Sequence, residues 1–388
     1  FEKLGYRVAT NAMGANVANG MATVLINSVN VFGKLRVDMQ VFEMDERYSR
    51  LTQPAVNPDY LVVTNITRDT IRRNAHPEYI FGILNDYTGK DTHVILNADD
   101  ICSSMLVPQN KRTFYGIDRL ESDVTEPYNL IADQCICPKC HTRLKFNYLR
   151  YHHIGNAYCP NCDFKSYDSD YLVEKIDEEN NELVVNIRGE RFVYPLVHAA
   201  LFNVYNEIAV ITLLKEFGID NDKIVDVLGQ TKIVDTRFRT KQAGNATVIS
   251  TMAKGQNSVS VSRALDYVVN EPGNKSIVII YDDYHDRFHS SELIGWIYDT
   301  DYEVMAREDV KQVVALGPRY MDHKLRLLMA GVPEDRILCA AEEFPTLDDM
   351  LTEGIDKVFV LYDTTTYDLS LPVTQRVVEV FEKAAKAN

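Results

Sequence analysis

The stretch LRVDMQVFEMDE, residues Leu35–Glu46, decides the fold that the sequence predicts. Its first part, Leu35–Phe42, predicts a buried parallel strand, because such strands are rich in apolar residues. Three carboxylates follow directly: Glu43, Asp45 and Glu46. Ligands of open α/β sheets bind beyond the carboxyl ends of strands, and Mg²⁺ often binds through one or two carboxylates together with substrate phosphates. The stretch therefore predicts a magnesium site, with a solvated turn as the alternative.

Two further predicted strands end in polar side chains at the same edge of the sheet. Tyr60–Thr64 leads into a polar segment, and His93–Leu96 leads into Asn97–Asp100. The polar residues after the first of these strands are Asn65, Arg68 and Asp69. A helix is predicted at Glu78–Tyr87, between the two strands. This alternation of strands and helices predicts a parallel sheet that is covered by helices on both faces.

The composition excludes several classes of protein. The chain has 388 residues, enough for roughly two or three domains, and its apolar content of 46% supports hydrophobic cores. The net charge of −15 argues against a general nucleic-acid binder. No apolar run approaches the roughly 20 residues that span a bilayer, and no signal peptide is recognised. Paired Cys-x-x-Cys motifs favour reduced thiols that bind a metal, so we expect a cytoplasmic protein.

Residues 133–170 interrupt the α/β pattern with four regularly spaced cysteines. Two Cys-x-x-Cys pairs are separated by 18 residues: Cys137, Cys140, Cys159 and Cys162. This spacing is typical of a zinc ribbon, in which two tight turns hold four sulfur atoms in a tetrahedron. An iron centre or a redox pair is the alternative. A site with four protein ligands has no open position, so the spacing predicts a structural zinc ion rather than a catalytic one.

Other potential ligands lie near these cysteines. Cys135 is interpreted as an incidental thiol, and three histidines are predicted to lie on the surface rather than to bind metal: His141, His152 and His153. Metal binding at structural sites is coupled to local folding. Zinc removal is therefore predicted to unfold the insert and to leave both α/β domains folded.

The rest of the chain predicts a second α/β unit. Tyr171–Tyr194 predicts an antiparallel meander, and Leu196–Phe217 predicts a long helix that carries Asn203 and Asn206 on one face. Residues 230–244 are charged and irregular, which predicts a linker. Beyond this linker, five predicted strands alternate with helices at the period of a doubly wound domain: Ala246–Met252, Ser276–Tyr281, Val313–Leu316, Ile337–Cys339 and Lys357–Leu361.

Several motifs occur in a characteristic order along nearly the whole chain. They are Gly14-Ala15-Asn16, Glu43-x-Asp45-Glu46, Thr64-Asn65-x-x-Arg68-Asp69, Leu96-Asn97-Ala98-Asp99-Asp100, the four-cysteine insert, Phe202-Asn203-x-Tyr205-Asn206, Arg237, Ala253-Lys254 and Trp296-Ile297-Tyr298-Asp299-x-Asp301. In this order they resemble the MurT family, the Mur-ligase-type subunits of lipid II isoglutaminyl synthase. The cysteine insert discriminates best, because ordinary Mur ligases lack it. The resemblance implies an α/β fold: a Mur-ligase central domain at 1–229 with the insert at about 133–170, a linker at 230–244, and a C-terminal Mur-ligase-like domain at 245–388.

The resemblance also implies an activity. In this family, ATP activates the α-carboxyl of D-glutamate in lipid II as an acyl phosphate, and ammonia from a GatD-like glutaminase partner gives D-isoglutamine. Membrane contact is then expected only through a lipid-linked substrate, lipid II or a related peptidoglycan precursor. The alternatives are another Mur-type ATP-dependent amino-acid or peptide ligase, and a non-catalytic, zinc-stabilised scaffold that binds the partner.

The resemblance further implies roles for individual residues. Glu43 would hold Mg²⁺, and Asn65 would lie near the nucleotide or the metal. Four residues would contact ATP or the acyl phosphate: Asn203 and Asn206 near the adenine, Arg237 near the phosphates or ribose, and Lys254 near the phosphate or acyl phosphate. The acid that orients the partner's catalytic histidine would be Glu292 or Asp286, and Glu292 is preferred. A metal and cations that neutralise charge are what phosphoryl transfer requires.

Some segments depart from the family pattern. The chain has no G-x-x-x-x-G-K-[ST] loop, so we expect the phosphate loop upstream of position 1 and expect this fragment alone not to hydrolyse ATP. The family's Asn-Pro-x-Gly after the lysine is replaced by Gly255-Gln256-Asn257-Ser258. Residues 70–76 and 285–295 also deviate, which indicates a divergent relative whose acceptor or partner differs.

Overall fold

The structure is a computed structural model, and it describes residues 1–11, 15–70, 76–231, 238–281 and 294–387. These residues form two compact units. The first unit draws on Phe1–Thr67, His76–Pro127 and Asp133–Ile233. The second unit draws on Val234–Asn388 and on two short segments from earlier in the chain, Arg68–Ala75 and Tyr128–Ala132.

The described part of the first unit contains ten strands and six helices. The strands are β1 (Val8–Thr10), β2 (Met39–Val41), β3 (Tyr60–Val63), β4 (His93–Asn97), β5 (Arg112–Ile117), β6 (Lys145–Tyr151), β7 (Ile154–Tyr158), β8 (Tyr171–Asp177), β9 (Glu182–Ile187) and β10 (Glu190–Pro195). The helices are α1 (Ala18–Asn27), α2 (Ser49–Val56), α3 (Pro77–Tyr87), α4 (Ile101–Ser104), α5 (Leu201–Glu216) and α6 (Asn221–Gly229). The main sheet has the order β10-β9-β8-β5-β4-β3. It is parallel from β3 to β8 and antiparallel from β8 to β10, so the predicted parallel sheet and the predicted meander are both confirmed.

The core of the first unit lies between the main sheet and α5. Strand β4 is buried at every residue, as expected for a central parallel strand that is covered on both faces. Along α5, Val204, Ile208 and Ile211 are fully buried, in one cluster with side chains of the neighbouring strands. Each such side chain contributes about 1.5–3 kcal/mol on burial. This packing holds α5 firmly against the sheet.

The predicted strand Leu35–Phe42 is wrong in both length and burial. Only Met39–Val41 forms a strand, and it pairs in parallel with β1 in a separate two-stranded sheet. Leu35 is 59% exposed and Val41 is 39% exposed. A turn lies just before the predicted strand, where the side-chain oxygen of Asn30 accepts hydrogen bonds from the N–H groups of Phe32 and Lys34. Leu35 then pairs back with Val29 in an isolated antiparallel bridge. Such local bonds compete with strand pairing.

The cysteine insert is built on the antiparallel hairpin of β6 and β7. Its residues belong to two hydrophobic cores. Tyr151 and Ile154 pack in the main core of the first unit, whereas Phe146 and Leu149 pack around the cysteines. The insert is therefore continuous with the unit that carries it.

The second unit is a mostly parallel sheet with helices on both faces. Its strands are β11 (Phe238–Ala243), β12 (Ala246–Met252), β13 (Lys275–Ile279), β14 (Val310–Leu316), β15 (Ile337–Ala340) and β16 (Lys357–Tyr362). Its described helices are α7 (Ser258–Asn270), α8 (Gly295–Tyr298), α9 (Tyr320–Met329), α10 (Glu343–Leu347) and α11 (Tyr367–Ala387). The strand order is β11-β12-β16-β13-β14-β15. Along β13, Ile277 and Ile279 face one core while Val278 faces the other, so the predicted doubly wound arrangement is confirmed.

The linker predicted at 230–244 is wrong for its last part. Residues 238–243 form β11, which pairs antiparallel with β12. The two strands join at Gly244, whose φ of 59° is in the left-handed region that glycine adopts easily. An edge strand tolerates the polar side chains that made this stretch look irregular. Residues 232–237 lie outside the described residues, and the domain boundaries at 1–229 and 245–388 stay predictions.

No helix in the described ranges is both long enough and apolar enough to cross a bilayer.

Candidate functional site

The four predicted metal ligands lie together in the insert. Their Sγ atoms are all within 4.8 Å of one another: Cys137, Cys140, Cys159 and Cys162. The Sγ atoms of Cys137 and Cys162 are 3.6 Å apart, and those of Cys140 and Cys159 are 3.4 Å apart. Zinc–sulfur bonds of about 2.3 Å in a tetrahedron place sulfur atoms about 3.8 Å apart. The cluster therefore has the ligand number, the ligand type and the spacing that suit a structural zinc ion.

Each pair of cysteines is positioned by a tight turn of the backbone. The N–H of Cys137 donates to the carbonyl of Thr142, and the N–H of Cys159 donates to the carbonyl of Phe164, both at 2.8 Å. The N–H of Asn161 also donates to the Sγ of Cys159 at 3.4 Å. These bonds fix the backbone of each turn and the position of the Cys159 sulfur atom.

The histidines of the insert do not all lie where the sequence predicts. His141 is exposed, as predicted, but His152 and His153 are buried, so the surface prediction is wrong for these two. The Nε2 of His153 lies 3.2 Å from Oδ1 of Asp100, beyond the end of β4. His153 therefore packs against the main sheet, and it lies outside the cysteine cluster.

Glu43, the predicted magnesium ligand, follows β2 on a fixed backbone. The side-chain amide of Asn11 bonds both main-chain groups of Glu43: its nitrogen donates to the carbonyl at 2.7 Å, and its oxygen accepts from the N–H at 2.9 Å. The Glu43 side chain is exposed, and its Oε1 accepts one long bond, 3.4 Å, from Asn16. Among the described residues it makes no ion pair. A positioned, unneutralised carboxylate suits a hard cation.

Asn65 is likewise exposed on a backbone that its neighbours hold in place. The side chain of Asn97 donates to the carbonyl of Thr64 at 3.1 Å, and a carboxylate oxygen of Asp100 accepts from the N–H of Ile66 at 2.6 Å. Asn97 and Asp100 are themselves buried. The polar cluster after β4 therefore fixes the segment after β3, a structural role that the sequence did not indicate.

Asn203 and Asn206 lie in the first turns of α5. Asn206 is exposed and Asn203 is partly buried. The side-chain nitrogen of Asn203 is buried and has no hydrogen-bond partner in the part of the chain that the structure describes, which is costly unless a ligand or water supplies an acceptor. One turn further along, burial raises the pKa of Glu207 to about 7. No hydrogen bond joins Glu43, Asn65, Asn203 or Asn206 to another of these four among the described residues.

Lys254, predicted to contact a phosphate, follows β12 and pairs with Asp69. The Nζ atom lies 2.6 Å from Oδ1 of Asp69. The lysine side chain is 47% exposed, whereas the aspartate side chain is only 7% exposed. About half of the lysine side chain therefore remains accessible to an anionic group. The sequence singled out both residues but gave no sign that they pair.

The divergent segment after Lys254 makes a close contact. Asp363 is buried at the end of β16, and its Oδ1 accepts hydrogen bonds from the N–H groups of Thr365 and Thr366 at 2.7 and 3.0 Å. Its other oxygen faces Gly255 so closely that a Cβ there would lie 2.0 Å away. Glycine at 255 is therefore required by the position of Asp363.

Gly255→Ala is expected to destabilise the second unit by about 1–3 kcal/mol, the usual cost of overpacking. The added methyl group would displace Asp363, which cannot move without losing its bonds to the 365–366 turn. Gly82→Ala is a control of opposite sign, because no atom lies within 4 Å of a Cβ there and alanine favours a helix by about 0.5–1 kcal/mol. Urea unfolding followed by circular dichroism measures both. An unchanged midpoint for Gly255→Ala would contradict the expected clash.

Two acids of the Trp296–Asp301 motif contact earlier segments of the chain that belong to the second unit. Asp299 pairs with Arg68 at 3.5 Å. Buried Asp301 accepts hydrogen bonds from the side chain of Asn129 at 2.9 Å and from the N–H of Leu130 at 2.6 Å. The sequence identified the motif without a role for these acids, because their partners are more than a hundred residues away.

Three predicted site residues lie outside the described residues: Arg237, Asp286 and Glu292. Their roles stay predictions.

Comparison with known proteins finds similarity to the family that the motifs suggested. Residues 255–367 match the family model described as MurT ligase C-terminal. The MurT subunit of lipid II isoglutaminyl synthase (glutamine-hydrolyzing) from Streptococcus pneumoniae is 27% identical over 335 residues, which cover 85% of this chain and 72% of that protein. The resemblance to MurT is therefore confirmed. The MurT subunit of Staphylococcus aureus is 25% identical over 328 residues, 84% of this chain and 72% of that protein.

Solved structures show that this chain has the Mur ligase fold. A pseudomurein peptide ligase type C from Methanothermus fervidus superposes with a TM-score of 0.71 at 18% identity, covering 96% of this chain and 73% of that chain. MurF from Acinetobacter baumannii gives a TM-score of 0.62 at 12% identity, covering 97% of this chain and 73% of that chain. At these identities the likeness shows the fold alone, and it confirms the predicted fold class.

Proposed function

We propose that this MurT-like chain is the ligase subunit of an amidating enzyme that converts the D-glutamate α-carboxyl of lipid II into the amide of D-isoglutamine. The observation that carries the proposal is the match to MurT subunits over 85% of the chain. The four-cysteine cluster supports it, because the same insert distinguishes the motif pattern of that family. The relatives are named as glutamine-hydrolysing synthases, which supports glutamine as the nitrogen source.

The proposed reaction proceeds through an acyl phosphate, for which ATP and Mg²⁺ supply the phosphoryl group and the neutralisation of its charge. Glu43 is proposed to hold Mg²⁺. Its carboxylate is exposed and makes no ion pair with any residue that the structure describes, which fits that role. Asn65 is proposed to lie near the nucleotide or metal, and Arg237 near the phosphates or ribose. Asn203 and Asn206 are proposed to contact the adenine, and the buried amide nitrogen of Asn203 supports a ligand acceptor there.

Lys254 is proposed to stabilise the transferred phosphate or the acyl phosphate. Its ammonium group is oriented by Asp69, and about half of the lysine side chain is exposed, so an anion can approach it while the ion pair is kept. The ion pair with Asp69 holds the Lys254 ammonium group near the end of β12. There it would stabilise the negative charge that develops during phosphoryl transfer.

A GatD-like glutaminase is the proposed partner, and the acid that orients its catalytic histidine is proposed to be Glu292 or Asp286. The acceptor is proposed to be lipid II or a related peptidoglycan precursor, so the enzyme would work at the cytoplasmic membrane face through its substrate. The word subunit in the relatives' names supports a complex.

The test uses the full-length protein together with its glutaminase partner. ATP, lipid II and glutamine labelled with ¹⁵N in the side-chain amide are supplied, and the product is analysed by mass spectrometry. We expect ADP release that depends on lipid II, and one ¹⁵N atom in the amidated stem peptide. Ammonium chloride should replace glutamine and the partner.

Two outcomes would contradict this proposal and favour its alternatives. Efficient ligation of a free amino acid, with no role for glutamine or ammonia, would indicate another Mur-type peptide ligase. Tight binding of the glutaminase without ATP turnover under any of these conditions would indicate a non-catalytic scaffold.

A further inference from the structure

A buried arginine joins the cysteine insert to the main sheet. Arg150 lies on β6, and its side chain is 1% exposed. Its Nη2 atom donates to the carbonyls of Ile117 and Asp118, at the end of β5, at 2.6 and 2.5 Å. Its Nη1 atom lies 2.6 Å from Oδ2 of Asp99. A guanidinium group with this many fixed acceptors is held rigidly, because each bond constrains its planar fork.

The same arginine also reaches α5. Its Nη1 atom donates to the hydroxyl oxygen of Tyr205, and that hydroxyl donates to Oδ2 of Asp99 at 2.7 Å. Burial raises the pKa of Tyr205 well above its ordinary value, so the phenol keeps the proton that it donates. The hydroxyl of Tyr148, also on β6, donates to the other oxygen of Asp99 at 2.9 Å. We call Asp99, Tyr148, Arg150 and Tyr205 the insert–helix network.

Tyr205 lies between the two asparagines that we propose contact the adenine. Successive residues of a helix are about 100° apart around its axis, so a fixed Tyr205 also fixes the direction of Asn203 and Asn206. Tyr205 points into the core and is 4% exposed, whereas Asn206 on another face is exposed. The network therefore sets the rotation of α5 about its own axis.

The network is also continuous with the metal centre. Leu149, next to Arg150 on β6, packs in the same small core as Cys137 and Cys159. The backbone of Leu149 also forms a bridge with Val124. Loss of the metal would loosen that small core, and β6 leads directly from this core to Arg150.

We infer that Arg150 and Tyr205 are positioning residues, through which the zinc-bearing insert orients α5 for adenine-nucleotide binding. The identity of the ligand as an adenine nucleotide rests on the proposed function. The coupling between the insert and α5 does not. It gives the insert a role in substrate affinity in addition to stability.

The first test uses steady-state kinetics of the full-length protein with its partner. Arg150→Met and Tyr205→Phe are each expected to raise the KM for ATP about tenfold or more, while kcat changes by less than about threefold, because misplacement weakens binding before it alters the reacting groups. Arg150→Lys should restore part of the affinity. Arg143→Met is the matched control, since Arg143 lies in the same insert but is exposed. All four variants should keep one zinc per chain. If Arg150→Met does not fold, Tyr205→Phe still tests the inference, because it removes a single oxygen atom.

The second test does not need catalysis. Hydrogen–deuterium exchange is followed in the peptide that covers Ala200–Ile208, with and without a zinc chelator. In the wild-type protein, chelation should speed exchange in this peptide several-fold. In Arg150→Met, exchange should already be fast, and chelation should add little. Equal protection of α5 in all four states would overturn the inference, whatever the enzyme catalyses. A protein that shows the exchange coupling but binds no ATP would instead refute the proposed function.

Discussion

Glu43→Gln in the full-length protein is expected to lower ATP-dependent amidation at least about 100-fold, the scale on which a single charge-stabilising group acts. The substitution removes a negative charge and keeps the shape of the side chain. The backbone of Glu43 should stay in place, since its two bonds to the Asn11 side chain use only the main-chain groups of Glu43. Stability should therefore change little, while the affinity for Mg²⁺ falls. ADP release at several Mg²⁺ concentrations measures the effect, and high Mg²⁺ should recover part of the rate.

The matched control for this change is Glu179→Gln, an exposed glutamate in the turn between β8 and β9. It should keep full activity. Binding of the glutaminase partner should be the same in both variants, which separates an enzyme from a scaffold. Unchanged turnover in Glu43→Gln would remove this residue from the proposed magnesium site.

Cys159→Ser is expected to abolish stoichiometric zinc binding. A hydroxyl group is a poor replacement for a thiolate, and metal binding at such sites supplies much of the local folding free energy. Cys159 is 6% exposed and lies in the small core of the insert, so we also expect the free energy of unfolding of the first unit to fall by roughly 4 kcal/mol or more. Elemental analysis after dialysis and a thermal melt measure the two effects.

Cys135→Ser serves as the control for the metal experiment. Cys135 precedes the first pair and lies outside the cluster of four sulfur atoms, so this variant should retain one zinc per chain. Zinc retained at full stoichiometry in Cys159→Ser would refute the assignment of this ligand. The sequence predicted that zinc loss would leave both α/β domains folded; the shared packing of β6 leads us to expect a looser α5 as well.

The regular elements of both units could be predicted because their signals are local. Strand β12 has the predicted bounds, and the meander predicted at Tyr171–Tyr194 corresponds to β8 to β10, which end at Pro195. The exception is instructive: Leu35–Phe42 has an apolar pattern, but Asn30 redirects the backbone before the strand begins. Apolar composition indicates burial only where a neighbouring sheet exists to cover it.

The candidate site divides in the same way. The four cysteines form two close pairs in sequence, so their spacing alone was enough to predict the cluster. The partner of Lys254 could not be predicted, because Asp69 is 185 residues away. Nor could the burial of His153, which depends on a contact with Asp100 beyond the end of β4. Long-range polar contacts leave no periodic trace in one sequence.

The acids Asp299 and Asp301 have a consequence for how proteins of this architecture can be recombined. A fragment that begins near residue 234 would carry Asp301 into its interior without Asn129 and Leu130, whose donors satisfy it. A buried carboxylate stripped of its donors is strongly unfavourable. Exchange of this half between relatives would therefore succeed only where the receiving chain supplies equivalent hydrogen-bond donors. The two halves are expected to have diverged together rather than as separate modules.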